Sequence, residues 1–559
     1  MKGKSMQQKC QSITDSTTET PSEILYITFC CVILAGKAFG LSEDSSSYKM
    51  LLLIGMALLA FKTLITSYTK SELILTCATY GISIISYVCS RDLGILLCCA
   101  VLIGIKGCSL RHVLTAVGVL WSIAFIIMAV ATQTGLVNDL YYVHDKTIFG
   151  YIVRASFGYP HPNVLHISFL MITCLIMYLV GSNKKRILQL SILLFLANCY
   201  VFVYSVSFTG FLIAVLYLLL NGILSFHPEP SKNKASLFWK LLDILMILVF
   251  PICTLFSVVG PVAFHGTLYD LSDKLVHHRF VLSNFFLTQE KLTLFGHVLI
   301  HTPDANRSID CSYVYLLVHN GLIPFLFFCA VYMIAIIFSI RKGQYRRTSI
   351  LLACTIAGVT EPFLFNTSFK NISLFFVGNC LFHLMKNDSR IICLFPALQQ
   401  QISLNRLSRL YTALASNCRE TYRVICSHRK PICLICICSF LIAFTAGFGL
   451  LPKYNSVLIP VEYCPDGYPE PALTLSDAEL SDFQHNGARL LFCAPDRELA
   501  LFQGNTVLYE NLRSANNLAV CVTLLILLIA IMWFHRREIR SELHKAVPSD
   551  SCDRQHPSH

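Results

Sequence analysis

Charge is scarce in this chain: only 14% of its 559 residues are Asp, Glu, Lys or Arg, against 55% hydrophobic residues and a mean hydropathy of +0.61. That scarcity excludes a soluble protein built around one core, because so much apolar surface needs several membrane spans to hide it. Residues 1 to 22 are polar and lack the apolar centre of a signal peptide, so an uncleaved cytoplasmic N-terminus is expected. No internal repeat with a period of about twenty to fifty residues is visible, and no inverted repeat of the kind usual in transporters is found, which argues against both architectures. The net charge of +12 carries no nucleic-acid signal here, because Lys and Arg collect in the cytoplasmic loops of membrane proteins. Most of the 25 cysteines, such as Cys30-Cys31 and Cys98-Cys99, lie in apolar runs and read as small packing residues.

What is present is a series of long apolar runs, near 23–40, 48–67, 72–89, 93–107, 113–133, 163–181, 187–205 and 208–226. Six more fall near 239–263, 312–340, 348–362, 371–385, 432–451 and 517–534, for an expected total of fourteen spans. Basic clusters at Lys106–Arg111, Lys184–Arg186, Lys232–Lys240, Arg341–Arg347 and Arg536–Arg537 fall on one side of these spans, which assigns that side to the cytoplasm. Both termini are then cytoplasmic. Loops 134–162, 264–311 and 453–516, and the short turn from Glu361 to Lys370, lie outside.

The expected fold is an all-α membrane protein: a polytopic helical bundle of about 12 core spans over residues 23–386, then two C-terminal spans. A basic segment, 387–431, links the two parts, and its Leu404, Leu407, Leu410 and Leu414 recur at the spacing of a short amphipathic helix. Residues 432–535 read as two spans bracketing a small extracytoplasmic domain, 453–516, and residues 536–559 as a cytoplasmic tail. The charges of that domain are mainly acidic, and Cys464 and Cys493 are its only cysteines, placed either to pair or to stay as two thiols.

Two outer loops concentrate basic and polar side chains. The first ends in a proline-stiffened turn that carries Arg154, His161 and Asn163; the second adds His277, His278, Arg279, His297, His301 and Asp310. Such loops suit an anionic, lipid-linked substrate, because Arg grips diphosphate oxygens in bidentate fashion and stays charged where water is short. Asp310 opens the tenth apolar run, as either a helix cap or a chemical group. On ordinary helical spacing Tyr313 lies near it and His319 about half a turn away, so His319 reads as a packing residue. No Asp-x-Asp or His/Cys ligand spacing occurs in the outer loops, and Cys433, Cys436 and Cys438 sit at the start of an apolar span, so no metal and no cofactor are expected.

Taken in order, these features resemble the Wzy-type polysaccharide polymerases and O-antigen ligases, bacterial membrane glycosyltransferases. The resemblance rests on Gly158-Tyr159-Pro160-His161-Pro162-Asn163 opening a span, on Ser205-Val206-Ser207-Phe208-Thr209-Gly210, and on Arg279 ahead of Leu294-Phe295-Gly296. It continues with Asp310, Ser312, Tyr313 and Gly321, and with Glu361 and Asn371 around a short outer turn, and spans roughly residues 20 to 386. Phe208 stands where the family often has Arg, and Cys311 where it has Asn. The ligases commonly carry His at the position of Asp310, so Asp310 points to a polymerase.

The resemblance implies an enzyme of the bacterial cytoplasmic (inner) membrane that joins undecaprenyl-diphosphate-linked repeat units into O-antigen, capsule or exopolysaccharide. Its partners would be a lipid-linked glycan donor and acceptor, the lipid bilayer and a chain-length regulator, with no nucleic acid. Asp310 would act as base, Arg279 and Arg154 would stabilise the departing diphosphate, and His161, Asn163, His278, Tyr313 and Glu361 would contact substrate. A ligase-type glycan transferase and a polysaccharide flippase are the alternatives; charges gathered at span ends argue against the flippase.

Overall fold

The computed structural model describes residues 18–146, 150–181, 183–228, 236–301, 309–368, 370–385, 391–392, 395, 402–403, 420–421, 423–425, 427–451, 453–461, 464, 472–491 and 498–546. The leucines 404, 407, 410 and 414 and Cys493 lie outside these residues, as does most of the linker. Two compact units are present. One holds residues 18–140 and 155–402, the other residues 141–154 and the chain beyond 403.

In the first unit the helices are α1 (Pro21–Ala38), α2 (Ser46–Ile65), α3 (Lys70–Ser90), α4 (Leu93–Gly104), α5 (Leu110–Gln133), α6 (Pro162–Leu179), α7 (Lys184–Ser205) and α8 (Phe208–Leu224). They continue as α9 (Leu237–Val258), α10 (Thr267–Leu275), α11 (Arg279–Gln289), α12 (Leu322–Arg341), α13 (Tyr345–Ala357) and α14 (Ser373–Leu384). Caps punctuate the apolar runs. Thr20 accepts from the amide of Glu23 ahead of Pro21, Thr69 and Glu72 form a capping box, and Asp92 caps α4 through the amide of Gly94.

Each apolar run of the sequence coincides with a helix, and ten helices among the described residues are long and apolar enough to cross a membrane. Helices α4, α8, α13 and α14 are shorter, with 12, 17, 13 and 12 residues. At about 1.5 Å per residue, a helix of 12 residues falls well short of the ~30 Å hydrocarbon core, so it needs its neighbours to complete the crossing. The outer faces of the long helices are bare apolar surface. On α9, Leu241, Ile244, Leu245, Leu248, Ile252 and Leu255 are 42–60% exposed, which suits contact with lipid and not with water. The protein is a multi-pass membrane protein on this ground.

Polar breaks shape one region. The run expected as a single span from 312 to 340 is divided into one α-helical turn at Ser312–Val314, a π-helical turn at Tyr315–Asn320, a break at Gly321 and then α12. The cause is backbone crowding. Gly321 (φ +99°) meets Gly296 (φ +83°) so closely that a Cβ on either would strike the main chain of the other segment. The first free amides of α12, on Leu322 and Ile323, donate to the carbonyls of Thr293 and Leu294 at 2.9 Å each.

The second unit contains the hairpin β1 (Tyr141–Lys146) and β2 (Gly150–Ala155, Ala155 itself falling in the first unit), helix α15 (Arg429–Leu450), and strands β3 (Ser456–Pro460) and β4 (Ala472–Thr474). It ends with α16 (Asp477–His485), β5 (Ala488–Leu490), β6 (Glu498–Phe502) and α17 (Asn505–Ala546). The expected small domain is built on a sheet beside α16: β4, β6, β3 and β5 pair in that order, antiparallel except for the β3–β5 pair. The hairpin, expected as a core loop, packs here. Val143 and Val153 join Val457, Ile459, Ala500 and Phe502 in one buried cluster, and Arg513 donates to the Val153 carbonyl at 3.2 Å. Helix α17 runs 42 residues without a break, from inside the domain to beyond the expected end of its span.

Candidate functional site

The candidate site in the first unit is assembled around Arg279, the first residue of α11. His277 and His278 just before it both have positive φ (52° and 64°), an arrangement uncommon for residues with a Cβ and costly unless the surroundings impose it. Asp273 supplies the restraint. One carboxylate oxygen of Asp273 lies 2.7 Å from Nδ1 of His278 and the other accepts from the amide of Val281 at 3.1 Å, so Asp273 anchors the start of α11.

Arg279 reaches across to two other segments. Its Nε donates to the Thr360 carbonyl at 2.7 Å and Nη1 to the His277 carbonyl at 3.3 Å. Its Nη2 stands 3.8 Å from Oδ2 of Asp310 and 3.7 Å from Oε1 of Glu361. The same Glu361 oxygen accepts from the side-chain amide of Asn163 at 3.0 Å. Four residues from four separate stretches of the sequence therefore converge on one spot. Asp310 is its most open member, with a side chain 40% exposed, against 15% for Arg279 and 11% for Glu361.

The turn carrying Glu361 is held from below. The Ser312 hydroxyl donates to the Glu361 carbonyl at 2.5 Å and accepts from the Leu364 amide at 3.3 Å. Buried Asn371 donates to the Leu364 carbonyl at 2.9 Å and to the Tyr332 hydroxyl at 2.8 Å. These bonds fix where Glu361 points, as a preorganised site requires.

The other expected site residues take different places. His161 caps α6, its Nδ1 accepting from the amide of Asn163 at 3.1 Å. His278 presents an 82% exposed ring at the edge of the cluster. Tyr313 is turned inward: it is 1% exposed and its hydroxyl donates to the Thr355 carbonyl at 2.8 Å, which corrects its expected role in contacting substrate. Cys311, not Asp310, holds the cap position of the turn at Ser312–Val314. Arg154 belongs to the second compact unit, where it is buried in β2 with Tyr142 in reach of its charge. His319, Nε2 3.3 Å from the Ser90 carbonyl, is indeed a hydrogen-bonding packing residue.

Sequence reasoning missed several polar groups. Glu290 is buried at the end of α11 and gathers the amides of Ile300 and His301 at 2.9 and 2.7 Å and Nε2 of His297 at 2.8 Å. Burial pushes its pKa up, yet these hydrogen bonds outweigh burial and hold the pKa down to about 2. Lys370 is also buried, with Nζ 2.8 Å from the Ser368 hydroxyl; burial lowers its pKa against the pull of Glu43 and Glu361. It shares a 160 Å³ cavity with Lys37, Glu43, Asp44, Pro160 and Val164. Farther into the bundle, the Ser205 element meets His166, whose ring nitrogens lie 2.9 Å from the Ser205 hydroxyl and 2.8 Å from Oδ1 of Asn198. Carboxylates and lysines scattered through loops give no periodic signal, and only the spacing of Asp273 ahead of His278 was available as a hint.

No group of three or more His, Cys, Asp or Glu side chains suited to a metal ion occurs among the described residues. No family model, curated protein or solved structure matches the chain.

Proposed function

We propose that this chain is a membrane glycosyltransferase that polymerises lipid-diphosphate-linked oligosaccharide units at the outer face of the bacterial cytoplasmic membrane. The observation that carries the reading is the convergence of Arg279, Asp310, Glu361 and Asn163 at one end of the bundle. A base and a fixed cation side by side are what displacement of a diphosphate by a sugar hydroxyl needs.

In this reading the acceptor hydroxyl attacks the anomeric carbon of the donor glycan. The new carbon–oxygen bond forms as the bond from that carbon to the diphosphate oxygen breaks, with inversion at the carbon. Asp310, the open carboxylate, takes the hydroxyl proton. Arg279 meets the negative charge that develops on the leaving diphosphate. It has five N–H donors, of which Nε and one on Nη1 are taken by backbone carbonyls while Nη2 faces the two carboxylates, so the second Nη1 N–H and the open side of Nη2 would meet phosphate oxygens. Glu361, pinned by Asn163 and by its own turn, orients the guanidinium beside Asp310. The exposed ring of His278 stands beside Arg279 as a further contact for the diphosphate.

The test is complementation of a gene deletion with Arg279→Ala and Asp310→Ala. Both variants should reach normal membrane levels, make no polymer and accumulate single lipid-linked repeat units. Full polymer from either variant removes that residue from the site, and loss of lipid-linked units from the outer leaflet replaces the polymerase with a flippase.

A further inference from the structure

The opposite end of the first unit contains a second cavity, larger and of different chemistry. It encloses about 530 Å³, within the range usual for small-molecule sites, and is formed where the ends of α5, α6, α7, α8, α12 and α13 meet. Arg111, Arg346 and Arg347 line it, and no Asp or Glu is among the described residues of its wall. None of the three forms an ion pair among the described residues.

Their partners leave donors to spare. Arg346 donates through Nη1 to the Tyr178 carbonyl at 3.1 Å, and Arg347 through Nη1 to Oδ1 of Asn379 at 3.1 Å. These bonds steer two guanidiniums without neutralising them, and each retains further N–H groups. The nearby acid, Asp243, does not line the cavity and has its Oδ1 3.3 Å from Nε2 of His227. That histidine is held rigidly, stacked on Tyr345 with ring centres 3.8 Å apart and against Trp239 at 4.6 Å. The result is a stiff aromatic wall beside three uncompensated positive charges, an arrangement that is electrostatically costly when empty and is relieved by an anion.

We infer that this cavity is a binding site for a phosphate group, presented by an anionic lipid headgroup or by a free phosphate anion, and separate from the Arg279 cluster. Guanidinium forks match phosphate oxygens in geometry as well as charge. The cavity opens among helix ends, at the level where a bilayer places its headgroups, so both sources have access to it.

The experiment uses the full-length protein purified in neutral detergent. Native mass spectrometry compares retention of phosphatidylglycerol with that of phosphatidylcholine, and thermal melting is followed with inorganic pyrophosphate. Arg111→Gln is the informative variant, because Arg111 is exposed and holds no structural hydrogen bond; Arg186→Gln, an exposed arginine that does not line the cavity, is the control. The expected result is preferential retention of phosphatidylglycerol, competed by pyrophosphate, weakened about tenfold in Arg111→Gln and unchanged in Arg186→Gln. Retention without competition assigns the phosphate to lipid alone, and stabilisation by pyrophosphate without lipid preference assigns it to a soluble anion. Absence of both effects, or an equal loss in the two variants, overturns the site. Polymer synthesis is not read in this experiment, so its outcome is independent of the reading of the Arg279 cluster.

Discussion

Arg279 sits between two carboxylates that differ in exposure: Glu361, which accepts from Asn163, is 11% exposed, whereas Asp310 is 40% exposed. That difference predicts separate effects for two neutral substitutions. Glu361→Gln keeps an oxygen for Asn163 but removes the charge 3.7 Å from Arg279, so polymer formation by the purified protein should fall about tenfold, the equivalent of losing ~1.4 kcal/mol of ion-pair orientation. Its melting temperature should change little. Asp310→Asn should abolish the activity, since no base then remains at the open position. An unchanged rate in Glu361→Gln would show that Arg279 needs no such orientation. Arg279, Asp310, Glu361 and Asn163 could all be named from the sequence, because charged and amide side chains at the mouths of apolar runs stand out against their surroundings. Tyr313 could not be placed correctly, since its direction depends on local backbone that spacing alone does not reveal.

The elements around the site are held by contacts that a hydropathy pattern does not encode. Each of the apolar runs contains a helix, and caps such as Thr20, Asp92 and the Thr69–Glu72 box agree with the runs they open, but ten helices among the described residues reach spanning length. The break at Gly321 was hidden, as a π turn and a glycine inside an apolar run leave its hydropathy untouched. Its consequence is that the ordinary helical angles used to set His319 aside did not apply, although His319 does turn out to bond the Ser90 carbonyl. Gly321→Ala tests how much the break matters. Positive φ and direct contact with the main chain of Phe295 and Gly296 should destabilise the protein by more than about 1 kcal/mol, read as a lower melting temperature in detergent. Gly81→Ala, in α3 with no atom within 4 Å of the added Cβ, should be neutral or slightly stabilising. Equal melting of the two variants would mean that the two backbones separate without cost.

At the scale of the whole molecule, the positions of charge give the bundle a direction. The basic connections that contribute Arg111, Arg346 and Arg347 meet around one cavity, and Arg279, Asp310 and Glu361 meet at the other end of the same helices. The proposed function requires the orientation expected from the asymmetry of Lys and Arg, with the first end in the cytoplasm and the Arg279 cluster on the outer side, where a lipid-linked repeat unit waiting for polymerisation would be found. Alkaline phosphatase, which folds only where disulfides form, reads this directly when fused after residue 289 or after residue 343. The fusion at 289 should be active and the fusion at 343 inactive. The reverse pattern would turn the whole bundle over, bring the three-arginine cavity to the outer side and leave Asp310 facing the cytoplasm. The polymerase reading would then fail at its first requirement, however well the four side chains are arranged, because catalytic geometry is useful only on the side of the membrane where the substrate is.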